Sequence, residues 1–164
     1  MNATTPRMTV QGIYCARGHF NDPRARFCNH CGVSMAQSSV LMLDGPRPPL
    51  GVLVVPGGAQ VRLDRDVLVG RTVSSDARVR NGSASALTFD DRTGHLSRLH
   101  AEIRLAGWDV HLVDRASTNG TYVFDERRGA WHRLAPNHPV LLPPGTTVAF
   151  GRHTAVYETG LRGS

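Results

Sequence analysis

The chain has 164 residues, 40% of them apolar, and a formal charge of +6. That is room for one ordinary domain and a small appendage, with enough apolar material to exclude a wholly disordered chain. No apolar run approaches the roughly 20 residues of a membrane span, and all 19 basic residues are Arg, none Lys. The Arg usage fits coding bias in a GC-rich bacterium, and the positive field favours phosphorylated or nucleic-acid partners.

Residues 1–11 read as a polar, flexible tail. It carries no basic-then-apolar leader pattern, and the chain is expected to be cytoplasmic. The tail contains Thr4-Thr5-Pro6, a setting in which either Thr is a candidate kinase substrate. The plainer reading is a tail and nothing more.

Residues 12–34 hold all three cysteines in the pattern Cys15, His19, Cys28, Cys31. An odd number argues against a disulfide framework. Cys-x-x-Cys-Gly is a knuckle in which two thiolates face one metal, and Gly32 permits the tight turn after the second thiolate. Three thiolates and one imidazole complete a closed structural Zn2+ site. His19 is the favoured fourth ligand and His30 its rival, since His30 lies inside the Cys28–Cys31 loop. A redox pair, Cys28 and Cys31, is the alternative. The segment is too poor in apolar residues to fold unaided, which favours a metal. Phe20 and Phe27 read as its mini-core. The segment resembles a short zinc ribbon. Residues 35–49 read as linker, with an apolar island at Val40-Leu41-Met42-Leu43 that is either an edge strand or a docking segment.

From Leu50 the pattern is all-β. Strands are expected over Val52–Val55, Gln60–Leu63, Val67–Gly70, Leu87–Phe89, Ala101–Leu105, Asp109–Val113, Tyr122–Phe124, Trp131–Leu134, Val140–Leu142, Thr146–Phe150 and Ala155–Tyr157. Short, closely spaced strands without a convincing amphipathic helix argue for a sandwich.

Three blocks at strand ends carry the chemistry: Gly70-Arg71, then Ser97-Arg98-Leu99-His100, then Thr118-Asn119-Gly120. Guanidiniums supply forked, charge-assisted donors to phosphate oxygens. Hydroxyls add short donors, and an amide pairs with a peptide backbone. In this order the blocks resemble the forkhead-associated (FHA) domain, a phosphothreonine-binding module. The resemblance covers residues 50–160, and Arg78 to Ala86 looks like an insertion in it.

The resemblance implies a β-sandwich with its binding loops at one end. It implies phosphate contacts from Arg71 and Ser97, a phosphate or loop-shaping role for Thr118, and a peptide-backbone contact from Asn119. Arg98 would touch phosphate or peptide, or be a surface Arg. Gly70, His100 and Gly120 would support the site. Some FHA proteins bind their own phosphorylated tail, which here would be Thr4 or Thr5.

Ser97 with His100, His95 or Asp114 lacks a nucleophile-elbow setting, and no Gly-rich nucleotide loop is present. No enzyme is expected. The reading is a phosphothreonine-peptide-binding adaptor downstream of Ser/Thr kinases. The alternatives are a nucleic-acid-binding protein using the ribbon and Arg surface, and a phospho-independent interaction module.

Overall fold

The computed structural model describes residues 8–36 and 41–159. The chain divides into two compact units, one drawn from Met1–Pro48 and the other comprising Pro49–Glu158. Among the described residues no helix is long and apolar enough to cross a membrane.

The first unit is a three-stranded sheet with a metal-ligand cluster. Strand β1 (Thr9–Tyr14) lies between β2 (Phe20–Asn21) and β3 (Leu43–Pro46). Here the structure departs from the sequence reading at three points. The expected flexible tail ends earlier, because Thr9, Val10 and Gln11 already pair with Pro46, Gly45 and Asp44. For the same reason the expected linker contains a strand. Asp-Gly-Pro reads as a loop, but Phe20 needs flat neighbours, and a Cβ on Gly12 or Gly45 would meet its ring at 2.5 or 3.1 Å. Pro46 is tolerated because β3 is an edge strand. Phe27 is not core: it is 63% exposed, while Cys15, Cys28 and Met35 are buried. Phe27 bridges Ser34 in extended backbone, where alternation turns Cys28 inward and Phe27 outward.

The second unit is two packed sheets. One holds, in spatial order, β11 (Ala130–Arg133), β10 (Thr121–Asp125), β13 (Thr147–Phe150), β14 (His153–Glu158), β4 (Val52–Val54) and β5 (Gln60–Arg62). The other holds β12 (Val140–Leu141), β9 (Asp109–Asp114), β8 (Ala101–Ala106), β6 (Asp66–Val69) and β7 (Ala84–Leu87). All pairs are antiparallel except β6 with β7. Period-2 alternation turns Val67, Val69, Ala101, Ile103, Val110 and Leu112 toward Leu53, Val148, Phe150 and Tyr157, forming one core.

The segment expected as an insertion is structured. A 3-10 turn, Val73–Ser75, leads to a one-turn helix, α1 (Ala77–Arg80), capped by the Asp76 carboxylate on the Arg78 amide. Then comes β7, which lies earlier than the strand expected at Leu87–Phe89. Small Ala84 and Ala86 let this strand sit beside Leu68 under Val73 and Val79. The result is a second, smaller apolar cluster on the outer face of the sheet.

Candidate functional site

The three blocks are joined through their backbones. Arg71 N–H donates to the Ser97 carbonyl at 3.0 Å, and Thr72 N–H to the Arg98 carbonyl at 3.3 Å. Gly70 makes this approach possible. A Cβ there would lie 2.1 Å from the Arg98 carbonyl oxygen, a backbone contact that no side-chain rotation relieves. The third block meets the second where Thr118 N–H donates to Ser97 Oγ at 3.2 Å. The Asn119 amide donates to the His95 carbonyl at 2.9 Å. A side-chain amide has two N–H donors and an acceptor oxygen, so this bond orients Asn119 without exhausting it.

His100 sits beneath these loops, fully buried. Its Nδ1 accepts from Ser97 N–H at 3.2 Å, and Nε2 lies 2.8 Å from the Gly120 carbonyl. Nδ1 as acceptor requires a lone pair, so the ring is the neutral tautomer with its proton on Nε2. Burial lowers its pKa below the ordinary 6.5, outweighing the Gly120 carbonyl. The Gly120 carbonyl also accepts from Gly151 N–H. Gly120 has φ +84°, and Arg133 lies where a Cβ would sit, so no other residue fits there without strain.

Asp114 shapes the third block, and sequence reasoning did not find that role. It is buried, and its carboxylate accepts from the Ser117 amide and hydroxyl and from the Thr121 hydroxyl. A short polar side chain followed by Ser is a turn-forming pattern, which is the signal that was available. Across the site, the Asp91 carboxylate accepts from Leu96 N–H at 2.7 Å and lies 3.3 Å from His153. The Leu96 amide bond, with help from Thr93 and His153 and against burial, holds Asp91 at about 2.

The chemical character of the rim is plain. Arg71, Arg98 and Thr118 are exposed, and Ser97 and Asn119 half-buried. Several guanidiniums elsewhere have carboxylate partners, as with Arg24, Arg65, Arg78, Arg104 and Arg115. Arg71 and Arg98 have none among the described residues. Two uncompensated cations beside two hydroxyls suit an anion better than a neutral ligand. Thr4 and Thr5 lie outside the described residues.

The first unit has its own site. One ligand atom each from Cys15, His19, Cys28 and Cys31 lies within 4.8 Å of the others, so the cluster could hold a metal ion. His30 is outside this set, its ring tilted against that of His19 with centroids 4.0 Å apart. Backbone amides point at the sulfurs, from Arg17 and His19 to Cys15 and from His30 and Cys31 to Cys28. Burial raises the Cys28 thiol, but these amides and Asn21 outweigh it and hold the group at about 6. Such donors favour the thiolate that a metal requires.

A family model described as the FHA domain matches residues 67–151. The chain is 32% identical over 129 residues to the glycogen accumulation regulator GarA of Mycobacterium tuberculosis, covering 76% of this chain and 67% of that protein. Solved structures share the fold. Mycobacterium tuberculosis EmbR in complex with a low-affinity phosphopeptide has a TM-score of 0.53 at 20% identity, over 70% of this chain and 25% of that one. The MEK1 FHA domain in complex with a HOP1 phosphothreonine peptide has a TM-score of 0.51 at 17% identity, over 68% of this chain and 98% of that one.

Proposed function

The chain belongs to the FHA-domain family, and from that premise we propose that it is an adaptor that docks a phosphothreonine peptide downstream of a Ser/Thr kinase. One observation carries the reading. Exposed Arg71 and Arg98, with no carboxylate partner among the described residues, flank the Ser97 and Thr118 hydroxyls on loops that are hydrogen-bonded to one another. A phosphothreonine carries roughly −1.5 to −2 charges near neutral pH, which this rim would neutralise. Arg71 and Ser97 take the phosphate, with Thr118 and Arg98 at its edge, and Asn119 takes the peptide backbone. Similarity to a protein named as a regulator agrees with a signalling role.

The same reading makes the chain a binding module and not an enzyme. The His100 ring nitrogen faces the Ser97 amide rather than its hydroxyl, so His100 is not placed to activate Ser97. The metal of the first unit is read as structural zinc. Bonds of roughly 2.3 Å in a tetrahedron set sulfurs about 3.8 Å apart, and those of Cys15 and Cys31 are 3.9 Å apart. Four protein ligands leave no open position for chemistry. A cytoplasmic setting, where the kinases act and thiols stay reduced, completes the reading.

The test is a degenerate phosphothreonine peptide library, run against its unphosphorylated and phosphoserine counterparts with wild type and Arg71→Ala. Binding should need phosphothreonine and disappear in the variant. Indifference to phosphorylation would overturn the reading. Steeply salt-dependent nucleic-acid binding in its place would support the alternative function.

A further inference from the structure

Glu102 is a charged residue with no part in the rim, yet it is 1% exposed on the outer face of β8. Three guanidiniums from three places converge on it. Arg78, from the structured insertion, donates to Oε1 at 3.0 Å. Arg115, at the start of the loop carrying Thr118 and Asn119, donates to the same oxygen at 2.5 Å. Arg104, on the same strand as Glu102, donates to Oε2 at 2.9 Å.

The geometry points to Glu102 as a positioning residue that ties the connection following Arg71 to the loop carrying Thr118 and Asn119, so that both halves of the phosphopeptide rim are set together. This inference rests on the phosphothreonine reading for its effect on binding, but the tie itself does not.

A carboxylate offers about four lone-pair sites, so one buried group can hold several donors at once. Its bonds to guanidinium are charge-assisted, stronger than neutral ones, and geometrically strict. Removing the charge would leave Arg104 and Arg115 without this carboxylate and Arg78 with Asp76 alone, a severe change at a buried position. The burial of Glu102 raises its pKa, but the surrounding arginines outweigh that and hold it ionised.

The tie has an apolar counterpart. Leu99, the residue between Arg98 and His100, packs into the outer cluster with Val73 and Val79 of the insertion and Leu68 of β6. Besides the pairing of β7 with β6, the insertion is held toward the rim by Leu99 contact near Ser97 and by Arg78 on Glu102. Arg115 brings in the third loop. Arg104 differs because it begins and ends on β8, so it neutralises the same charge without joining loops.

That difference supplies the experiment. Phosphothreonine-peptide affinity and amide hydrogen exchange would be measured for Glu102→Gln, Glu102→Asp, Arg78→Gln, Arg115→Gln and Arg104→Gln. Glu102→Gln should weaken binding about tenfold, a typical coupling between sites. It should also speed exchange in both 72–81 and 115–120. Arg78→Gln should loosen the first segment and Arg115→Gln the second, each with a smaller loss of affinity. Arg104→Gln should leave both segments protected, and Glu102→Asp should restore much of the binding.

Equal damage from Arg104→Gln would show that only charge balance matters and would overturn the inference. Unchanged exchange in Glu102→Gln would overturn it as well. If wild type binds no phosphothreonine peptide, the reading of the rim fails, and the exchange pattern alone then decides whether the tie exists.

Discussion

The two units are held together by different physics. The sandwich buries Leu53, Ile103, Leu112, Val148 and Phe150 in a continuous apolar core. Among its described residues the first unit's apolar cluster buries two cysteines and Met35, far less than a domain needs to offset its conformational entropy. The sandwich can therefore present polar groups at its rim without risk to its fold. The first unit has its polar groups, the sulfurs, at its centre. Where the core is apolar, function is added at the edge; where the core is a cluster of metal-ligating side chains, a bound ion would be part of the fold.

Metal removal should separate the units most sharply. Structural zinc in small domains is worth about 10–16 kcal/mol of folding free energy near neutral pH. Cys28→Ser, or a strong chelator, should abolish dispersed amide signals from the first unit and leave those of the sandwich. Signals of the first unit that survive chelation would mean that its sheet holds without metal.

Ile103→Ala should do the reverse. It removes a fully buried side chain from the main core, at a cost of about 2–5 kcal/mol. Thermal unfolding of the sandwich should shift down while the amide signals of the first unit stay unchanged. A shift no larger than that of a surface substitution would contradict the core as described.

Gly70→Ala probes the join between core and rim. The added methyl meets the Arg98 carbonyl, so backbone must move, at about 1–3 kcal/mol. Phosphopeptide affinity should fall by more than stability alone explains, because Arg98 and Ser97 move with it. Unaltered affinity would show that the rim tolerates displacement.

The smallest effect is one of pH. The folded-state pKa of His100 lies below its ordinary 6.5, so the unfolded chain binds more protons. Stability should be complete above about pH 7 and decline as pH falls through the unfolded value. A thermal midpoint for the sandwich that stays flat from neutral to mildly acid pH would refute the neutral, buried assignment of this ring.

The β content, the metal-ligand spacing and the three rim blocks were legible in the sequence because each is local. Alternation marks a strand, Cys-x-x-Cys marks a knuckle, and Gly-Arg and Ser-Arg-Leu-His carry their chemistry within a few residues. Less legible were the features that depend on a distant partner. Leu43–Pro46 looks like linker until Phe20 lies across Gly12 and Gly45. Ala84–Leu87 looks like insertion until β6 supplies a parallel neighbour. Phe27 reads as core by composition, and only the inward turn of Cys28 sends it to solvent.

The sequence by itself thus determined what groups this protein can offer: thiolates for a metal, and guanidiniums and hydroxyls for an anion. Tertiary structure alone decided which of them meet. Glu102 shows why. An acid within an apolar-flanked strand carries no local mark of its role, since its three partners lie 2, 13 and 24 residues away. A charge becomes a tie only when folding removes water from around it and brings its partners within reach.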